Sequence, residues 1–433
     1  MQRAPAGHVL TLALLVSVTL LVATCSGGRP QGERQVPRVA PQDSVPAAAE
    51  PPPAGAVPDS AVPGDSVAAD TTLGEPVLDL PPGPAAPPPA NDVRVCAGGD
   101  VMLGSNLDTL WALRAERRLG RPVPALPDPH ELLAPLRPLV EDADVVLLNI
   151  EGAIGEGPAP PKCRPGSRNC YAFRQPTLAA TALRRLSDGA EVIGNLANNH
   201  AMDAGRRGLE ATLRHLRSAD VHATGVDTLP TVVATGRGDT VAFLGFSTAQ
   251  AGPDPGDLEA VFRHVARAVQ RYRRVVVTAH MGAEGVGAQR TPDATEMFLG
   301  EDRGNSVAFA RTAARAGASV VIGHGPHVLR GAEWQGATLI LYSLGNLLTY
   351  GPFSLGEPLN RGAVACVTLD PDGTVKWAAL RSTWQRPPGI VAGDPAARSA
   401  WLVDSLSQLD FPGTAARLRS EAVITRPDST ERR

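Results

Sequence analysis

Gly194-Asn195-Leu196-Ala197-Asn198-Asn199-His200-Ala201-Met202-Asp203-Ala204-Gly205 joins an apolar run, Glu191-Val192-Ile193, to residues 206–217, which read as a helix. A strand handing over to a helix is the signature of an open α/β sheet, and such sheets place ligands outside the carboxyl ends of their strands. Asn and His side chains can both ligate a metal, and Asp203 can orient the His200 ring from outside. The bland alternative is an Asn-rich turn, because Asn tolerates left-handed and capping conformations. The rest of the chain decides between the two.

Outward from this stretch the same pattern recurs. Residues 92–98 form a strand that ends at Gly99-Asp100, and residues 144–150 form a wholly apolar strand with Asn149 and Glu151 at its end. A strand at 274–279 ends at His280, and one at 319–322 ends at Gly323-His324-Gly325-Pro326-His327. Helices are expected at 106–119, 130–140, 177–186, 258–272 and 306–316, and hairpins at 231–247 and 363–380. Of the nine histidines, His200, His280, His324 and His327 fall at strand ends, while the other five read as structural or exposed. Singly, Asp100 after Gly98-Gly99 and Glu151 before Gly152 are explained by turns, whereas His280 closing a buried strand needs a partner. Two imidazoles on a Gly/Pro turn have little structural purpose, and the joint occurrence favours a site. Strand ends of an α/β sheet gather on one edge, so these residues converge although the chain separates them widely.

The 433 residues are not all fold. Residues 1–28 read as an export segment: Arg3, an uncharged apolar run from Val9 to Thr24, then small residues around Cys25. Val22-Ala23-Thr24-Cys25 resembles a lipobox with Thr in place of the usual small residue before the Cys. An acylated Cys25, a plainly cleaved signal and an uncleaved anchor all put the remainder outside the cytoplasm. Residues 29–90 hold 16 of the 41 prolines and no apolar period, the composition of a semi-extended tether. A folded domain is expected at 91–385, and a short helix with a loose tail at 386–433. A net charge of −3, from 41 basic and 44 acidic residues, gives no sign of a nucleic-acid partner. Cys96 and Cys366 lie in apolar runs and read as buried small hydrophobes. Cys163 and Cys170 flank a polar loop and read as a short-loop disulfide, with a zinc pair the weaker alternative.

Carboxylates, an amide oxygen and imidazoles suit Mn, Fe or Zn. A site with two ions about 3.5–4 Å apart needs a bridging carboxylate, for which Glu151 is the natural candidate. His200 with Asp203 is then a possible acid for the leaving group.

Ala97-Gly98-Gly99-Asp100-Val101-Met102-Leu103-Gly104, Leu148-Asn149-Ile150-Glu151, Ala197 to Gly205, Ala279-His280-Met281-Gly282, Val321 to Leu329 and Tyr342-Ser343-Leu344-Gly345-Asn346 together resemble the CapA family, the poly-gamma-glutamate capsule synthesis proteins. The fold of that family is similar to the calcineurin-like metallophosphoesterases. The resemblance spans about residues 92–385 and implies a four-layer α/β/β/α sandwich. It makes Asp100, Glu151, Asn199, His280, His324 and His327 look like metal ligands, and His200 look like the catalytic histidine with Asp203 beside it. Three departures stand out. Met102 occupies a position where metallophosphoesterases usually carry His, Glu151 stands where Asp is usual, and Gly325 stands where many CapA proteins have His. They predict one firm metal and a weaker or absent second.

The function expected from these residues is a metal-dependent hydrolase outside the cytoplasm, membrane-anchored through Cys25, acting on a phosphoester or γ-glutamyl amide of an anionic envelope polymer or its precursor. Arg330, three residues past His327, is a candidate for binding a substrate carboxylate or phosphate. Polyglutamate synthesis proteins are candidate partners. The alternative is a non-catalytic assembly or export factor with a vestigial site.

Overall fold

The computed structural model of the chain describes residues 91–164, 167, 170–249, 251–419 and 422–427. The expected export segment at 1–28, with Cys25, and the tether at 29–90 lie outside the described residues. Among the described residues no helix is long and apolar enough to cross a membrane.

Four apolar runs form β1 (Val93–Leu103), β2 (Val145–Ile150), β3 (Glu191–Asn195) and β4 (Val221–Thr224). They lie side by side in parallel. Parallel neighbours need long crossovers, and helices supply them: α1 (Leu110–Leu119), α2 (Pro129–Leu133), α3 (Leu178–Arg184) and α4 (Gly205–Ser218). A second sheet follows, from β5 (Thr231–Ala234), β6 (Thr240–Ser247), β7 (Val275–His280), β8 (Val320–His324), β9 (Ala332–Gln335) and β10 (Thr338–Leu341). Its spatial order is β9-β10-β8-β7-β6-β5, with α5 (Leu258–Val269) and α6 (Ser306–Arg315) as crossovers. The chain then returns to the first sheet as β11 (Asn346–Tyr350), β12 (Arg361–Leu369), β13 (Val375–Arg386) and β14 (Ile390–Gly393). The first sheet reads β14-β13-β12-β1-β2-β3-β4, and β11 pairs with the far half of β1.

Successive strand side chains point to opposite faces, and β2 shows what this does. Val145 and Leu147 join Phe243, Val276 and Ile322 in a core between the two sheets. Val146 and Leu148 face the other way, onto Trp111, Leu133, Leu183 and Leu216 of the helices. A third core sets Leu244, Val277 and Val321 against Val261, Val265 and Phe309 of α5 and α6. Three cores between four layers make the expected α/β/β/α sandwich.

Several boundaries differ from expectation. The helix expected at 130–140 is α2 followed by a 3-10 turn, Ala134–Leu139, because Pro135 and Pro138 cannot continue an α-helix. The helix expected from 106 begins at Leu110. The described residues beyond 386 are not a loose appendage. β14 pairs with β13, and α7 (Arg398–Asp410) puts Ala400 and Val403 into the inter-sheet core.

The cysteines bring a correction. Cys96 and Cys366 are buried as expected, but they are disulfide-bonded rather than free hydrophobes, directly opposite one another on β1 and β12. Cys163 and Cys170 form the expected short-loop disulfide. Cross-linking stabilises mainly by restricting the unfolded chain, more so for longer loops. The separations here are 270 and 7 residues. In that account Cys96→Ala with Cys366→Ala costs about 5.5 kcal/mol and Cys163→Ala with Cys170→Ala about 2.5 kcal/mol. Urea denaturation of the two double variants checks the order; equal midpoints would contradict it.

Candidate metal centre

The site is built where the two sheets present the same level of their strands. β1 pairs antiparallel with β12 as far as Gly98, then changes partner and runs parallel to β11 from Asp100. At the change Gly99 lies so close to the neighbouring chain that a Cβ would meet the Gly345 carbonyl oxygen at 2.0 Å. The strand therefore does not end at Asp100, as the turn-like Gly-Gly-Asp suggested, but continues to Leu103 with Asp100 at the break in register. Asp100 is opposite Asn149, and Asn149 is opposite Asn195. On the second sheet Ser247 is opposite His280, and His280 is opposite His324. Two rows of polar side chains thus lie at one level of the sandwich.

Asn149 links the rows. Its Nδ2 donates to Asp100 Oδ1 at 2.8 Å and lies 3.2 Å from His280 Nδ1. Its Oδ1 accepts from Asn195 and Asn198 at 2.9 and 3.2 Å. Asn198 also donates to the Ile150 carbonyl and accepts from the His200 amide, so it serves the turn. His327 comes from the Gly/Pro turn after β8, with a left-handed backbone (φ 59) that strains most residues and is tolerated best by Asn, Asp and His. Its Nδ1 lies 3.0 Å from Asp100 Oδ2 and 3.1 Å from Asn346 Oδ1. Its Nε2 lies 3.6 Å from Glu151 Oε1, which is 3.9 Å from His280 Nε2. His324 Nδ1 is 3.8 Å from Asp100 Oδ1.

Glu151 Oε1, His280 Nε2, both ring nitrogens of His324 and Asn199 Oδ1 are buried without a hydrogen-bond partner among the described residues. A buried polar atom left unpaired is costly, so several together need a common explanation. Separations of 3.6–3.9 Å are too long for hydrogen bonds. They match donor atoms around one ion, since atoms bound at about 2.1 Å in a tetrahedral array lie about 3.4 Å apart. Oxygen and imidazole donors of this kind fit a divalent ion such as Mn, Fe or Zn.

The electrostatics agree. Burial lowers His280 well below its usual value and His324 to about 4, which keeps both in the neutral, ligating form. Burial raises the Glu151 carboxyl to about 8, with repulsion from Asp100 and Glu284 adding to it. His327 behaves oppositely. Burial would lower it, but the charge of Glu151 and the hydrogen bond to Asp100 raise it to about 10. Burial also opposes ionisation of Asp100, yet His327 holds that carboxyl below the usual range. A place that draws a proton onto a buried imidazole is one that favours a cation.

Beside this cluster, His200 Nδ1 lies 2.7 Å from Asp203 Oδ2, which also accepts from the Phe173 amide at 2.7 Å. Burial lowers the His200 pKa, the charge of Lys162 lowers it further, and Asp203 opposes both. Lys162 reaches across the turn: its Nζ pairs with Asp203 Oδ1 and donates to the Asn199 carbonyl at 3.1 Å.

A model of the bacterial capsule synthesis protein PGA_cap family matches residues 94–350, more than half of the chain. The chain belongs to this family. The PGA biosynthesis protein CapA of Bacillus subtilis is 28% identical over 183 residues, covering 39% of this chain and 45% of that protein. The capsule biosynthesis protein CapA of Bacillus anthracis is 28% identical over 185 residues, covering 38% of this chain and 42% of that one. The match thus spans less than half the length of either relative. A 5'-nucleotidase precursor from Thermus thermophilus is similar at 13% identity with a TM-score of 0.35, over 73% of this chain and 59% of that structure.

In this PGA_cap chain the sandwich draws Asp100, Glu151, His280, His324 and His327 into one cluster and sets the His200–Asp203 pair next to it. Asn199 sits on the intervening turn with its side-chain oxygen unpaired. Arg330 is put to another use than substrate binding. It is 1% exposed and grips Glu296 with both terminal nitrogens, at 2.8 and 2.6 Å, while Nε donates to the Ala288 carbonyl at 2.8 Å. No face of it is left for a ligand. Asn149, Lys162, Glu284 and Arg303 were given no role from sequence. Only Asn149 had a usable signal: two residues from Glu151 on a strand, it shares a face with it. The other three lie in irregular segments with no period to read.

Two outcomes follow from the geometry. Asn149→Ala removes the amide that fixes Asp100 and His280 and is expected to weaken Mn binding about 10- to 100-fold, read by calorimetric titration. Arg330→Met leaves Glu296 buried without its counter-charge and is expected to cost about 3–5 kcal/mol in urea unfolding.

Proposed function

We propose that the chain is an extracytoplasmic, metal-dependent hydrolase of capsule or envelope polymer metabolism, cleaving a phosphoester or γ-glutamyl amide in an anionic polymer such as poly-gamma-glutamate or in its precursor. The observation that carries the reading is the set of buried, unpartnered donor atoms on Glu151, His280 and His324, with Asn199 Oδ1 also unpartnered on the turn that carries the His200–Asp203 pair. Asp100, Glu151, His280, His324, His327 and Asn199 would hold the ion. The better-held position is the one served by Glu151, Asn199, His280 and a late histidine. Met102, buried and apolar, weakens the other. A bound divalent ion supplies Lewis acidity and an acidified water.

The remaining work falls to the chain's own groups. Asp203 holds His200 by Nδ1, which leaves Nε2 to pass a proton to a leaving group. Lys162 balances the buried Asp203 charge and ties the Asn199 turn in place. Two disulfides fit an oxidising compartment. Export through residues 1–28, with a lipid anchor at Cys25 and a tether at 29–90, would keep the domain at the membrane near polyglutamate synthesis proteins.

The test is hydrolysis of a phosphodiester and of a γ-glutamyl peptide by chelator-dialysed protein with and without Mn. Activity is expected to return with Mn and to be lost in His280→Ala. His200→Ala is expected to lower kcat about 10²- to 10⁴-fold. The buried Met102 and the Gly325 turn favour a second reading, an assembly or export factor with a vestigial site. A wild-type protein that binds no metal and cleaves neither substrate would support that one.

A further inference from the structure

The segment between β7 and α6 contains two charged residues that the reading above leaves unused. Glu284 lies four residues past His280, and its Oε2 is 3.6 Å from His327 Nε2. The same nitrogen is 3.6 Å from Glu151 Oε1. Neither separation is a hydrogen bond. Both are the spacing of atoms sharing one ion, about 3.4 Å for tetrahedral bonds of about 2.1 Å. Glu151 Oε1 has no partner of its own among the described residues, and the side chain of Glu284 is only 14% exposed.

The other oxygen of Glu284 is ion-paired from behind, without hydrogen-bond geometry. Arg303 is buried, and its Nη1 lies 2.6 Å from Glu284 Oε1. The backbone around Arg303 is fixed as firmly: Gly282 N donates to Arg303 O at 2.8 Å, and Arg303 N donates to Glu296 O at 2.9 Å. Glu296 is the residue gripped by Arg330. A chain of contacts thus runs from Arg330 through Glu296 to Arg303 and ends on a carboxylate that faces the cluster. Asp100, Glu151 and His327 offer donor atoms within 4.8 Å of one another, and Met102 offers none two residues after Asp100. Asp100 meets the Nδ1 side of the His327 ring, whereas Glu151 and Glu284 meet its Nε2 side. A divalent ion of this type commonly takes at least four donors.

We propose that Glu284 is a metal-ligating carboxylate of this centre, sharing an ion with Glu151 and His327 Nε2, with Arg303 as the charge partner that orients it. The proposal rests on the metal-dependent reading above. Arg303 supports Glu284 as outer partners support ligating carboxylates in metal sites generally.

The test uses the purified full-length chain, stripped by chelator and titrated with Mn, with bound metal counted by elemental analysis and affinity read by calorimetry. Glu284→Gln is expected to weaken one class of Mn site about 10- to 100-fold or to remove it, with an unchanged circular dichroism spectrum. Glu284→Asp keeps a charge for Arg303 but withdraws the carboxylate by one methylene. It should weaken the same site and serves as the deciding variant should Glu284→Gln not fold. Mn binding by the variant that matches wild type in number and affinity overturns the role of Glu284 and leaves the metal reading standing. A wild-type protein that binds neither Mn, Fe nor Zn overturns both.

Discussion

Buried charge is the constraint on which the arrangement depends. Asp100 and Glu151 lie in the sandwich almost wholly out of water, as do His280 and His324. Isolated charges in such a place are prohibitively unfavourable, so each must be paired, neutralised or ligated. The protein meets this with a polar layer at one level of both sheets: Asn149 between Asp100 and His280, Asn195 and Asn198 behind it, and His327 closing over the top. The apolar strands below fix the level, and the asparagine row fixes the side chains. The break in β1 at Gly99 is part of the same solution, because it lets Asp100 face the cluster while the strand continues.

Much of this was legible in sequence, for a physical reason. A strand buried on both faces is a continuous apolar run, so a polar residue at its end stands out. Glu151, His280 and His324 were found this way. The alternation of sandwich layers was legible from the order of runs and helices. Features that depend on distant register were not. Cys96 and Cys366 pair because β12 returns antiparallel to β1, and each alone looks like any small buried residue. Arg330 has the same composition cue whether its guanidinium points to solvent or to Glu296, and only the fold of the segment between β7 and α6 decides. Lys162 enters the His200 turn from a loop with no period. Pro135 and Pro138 are visible in the sequence, and they limit the α-helix there to α2.

Arg330 and Arg303 show how one residue type divides its work. Both are buried guanidiniums that face carboxylates in the same irregular segment. The first satisfies both oxygens of Glu296 and serves the architecture. The second takes one oxygen of Glu284 and leaves the other turned to the histidine cluster. Geometry at the carboxylate, rather than residue type, separates a brace from a device that aims a functional group.

The pairing of the cysteines also orders events in the growing chain. Four described cysteines allow three pairings, and only one is native. Cys163 and Cys170, seven residues apart, can meet as soon as their loop is made, and short loops close at little entropic cost. Cys96 must wait for a partner 270 residues away. The short loop beside His200 therefore constrains its own segment alone, whereas the long-range bond ties the strand that carries Asp100 to a strand laid down near the end of the fold.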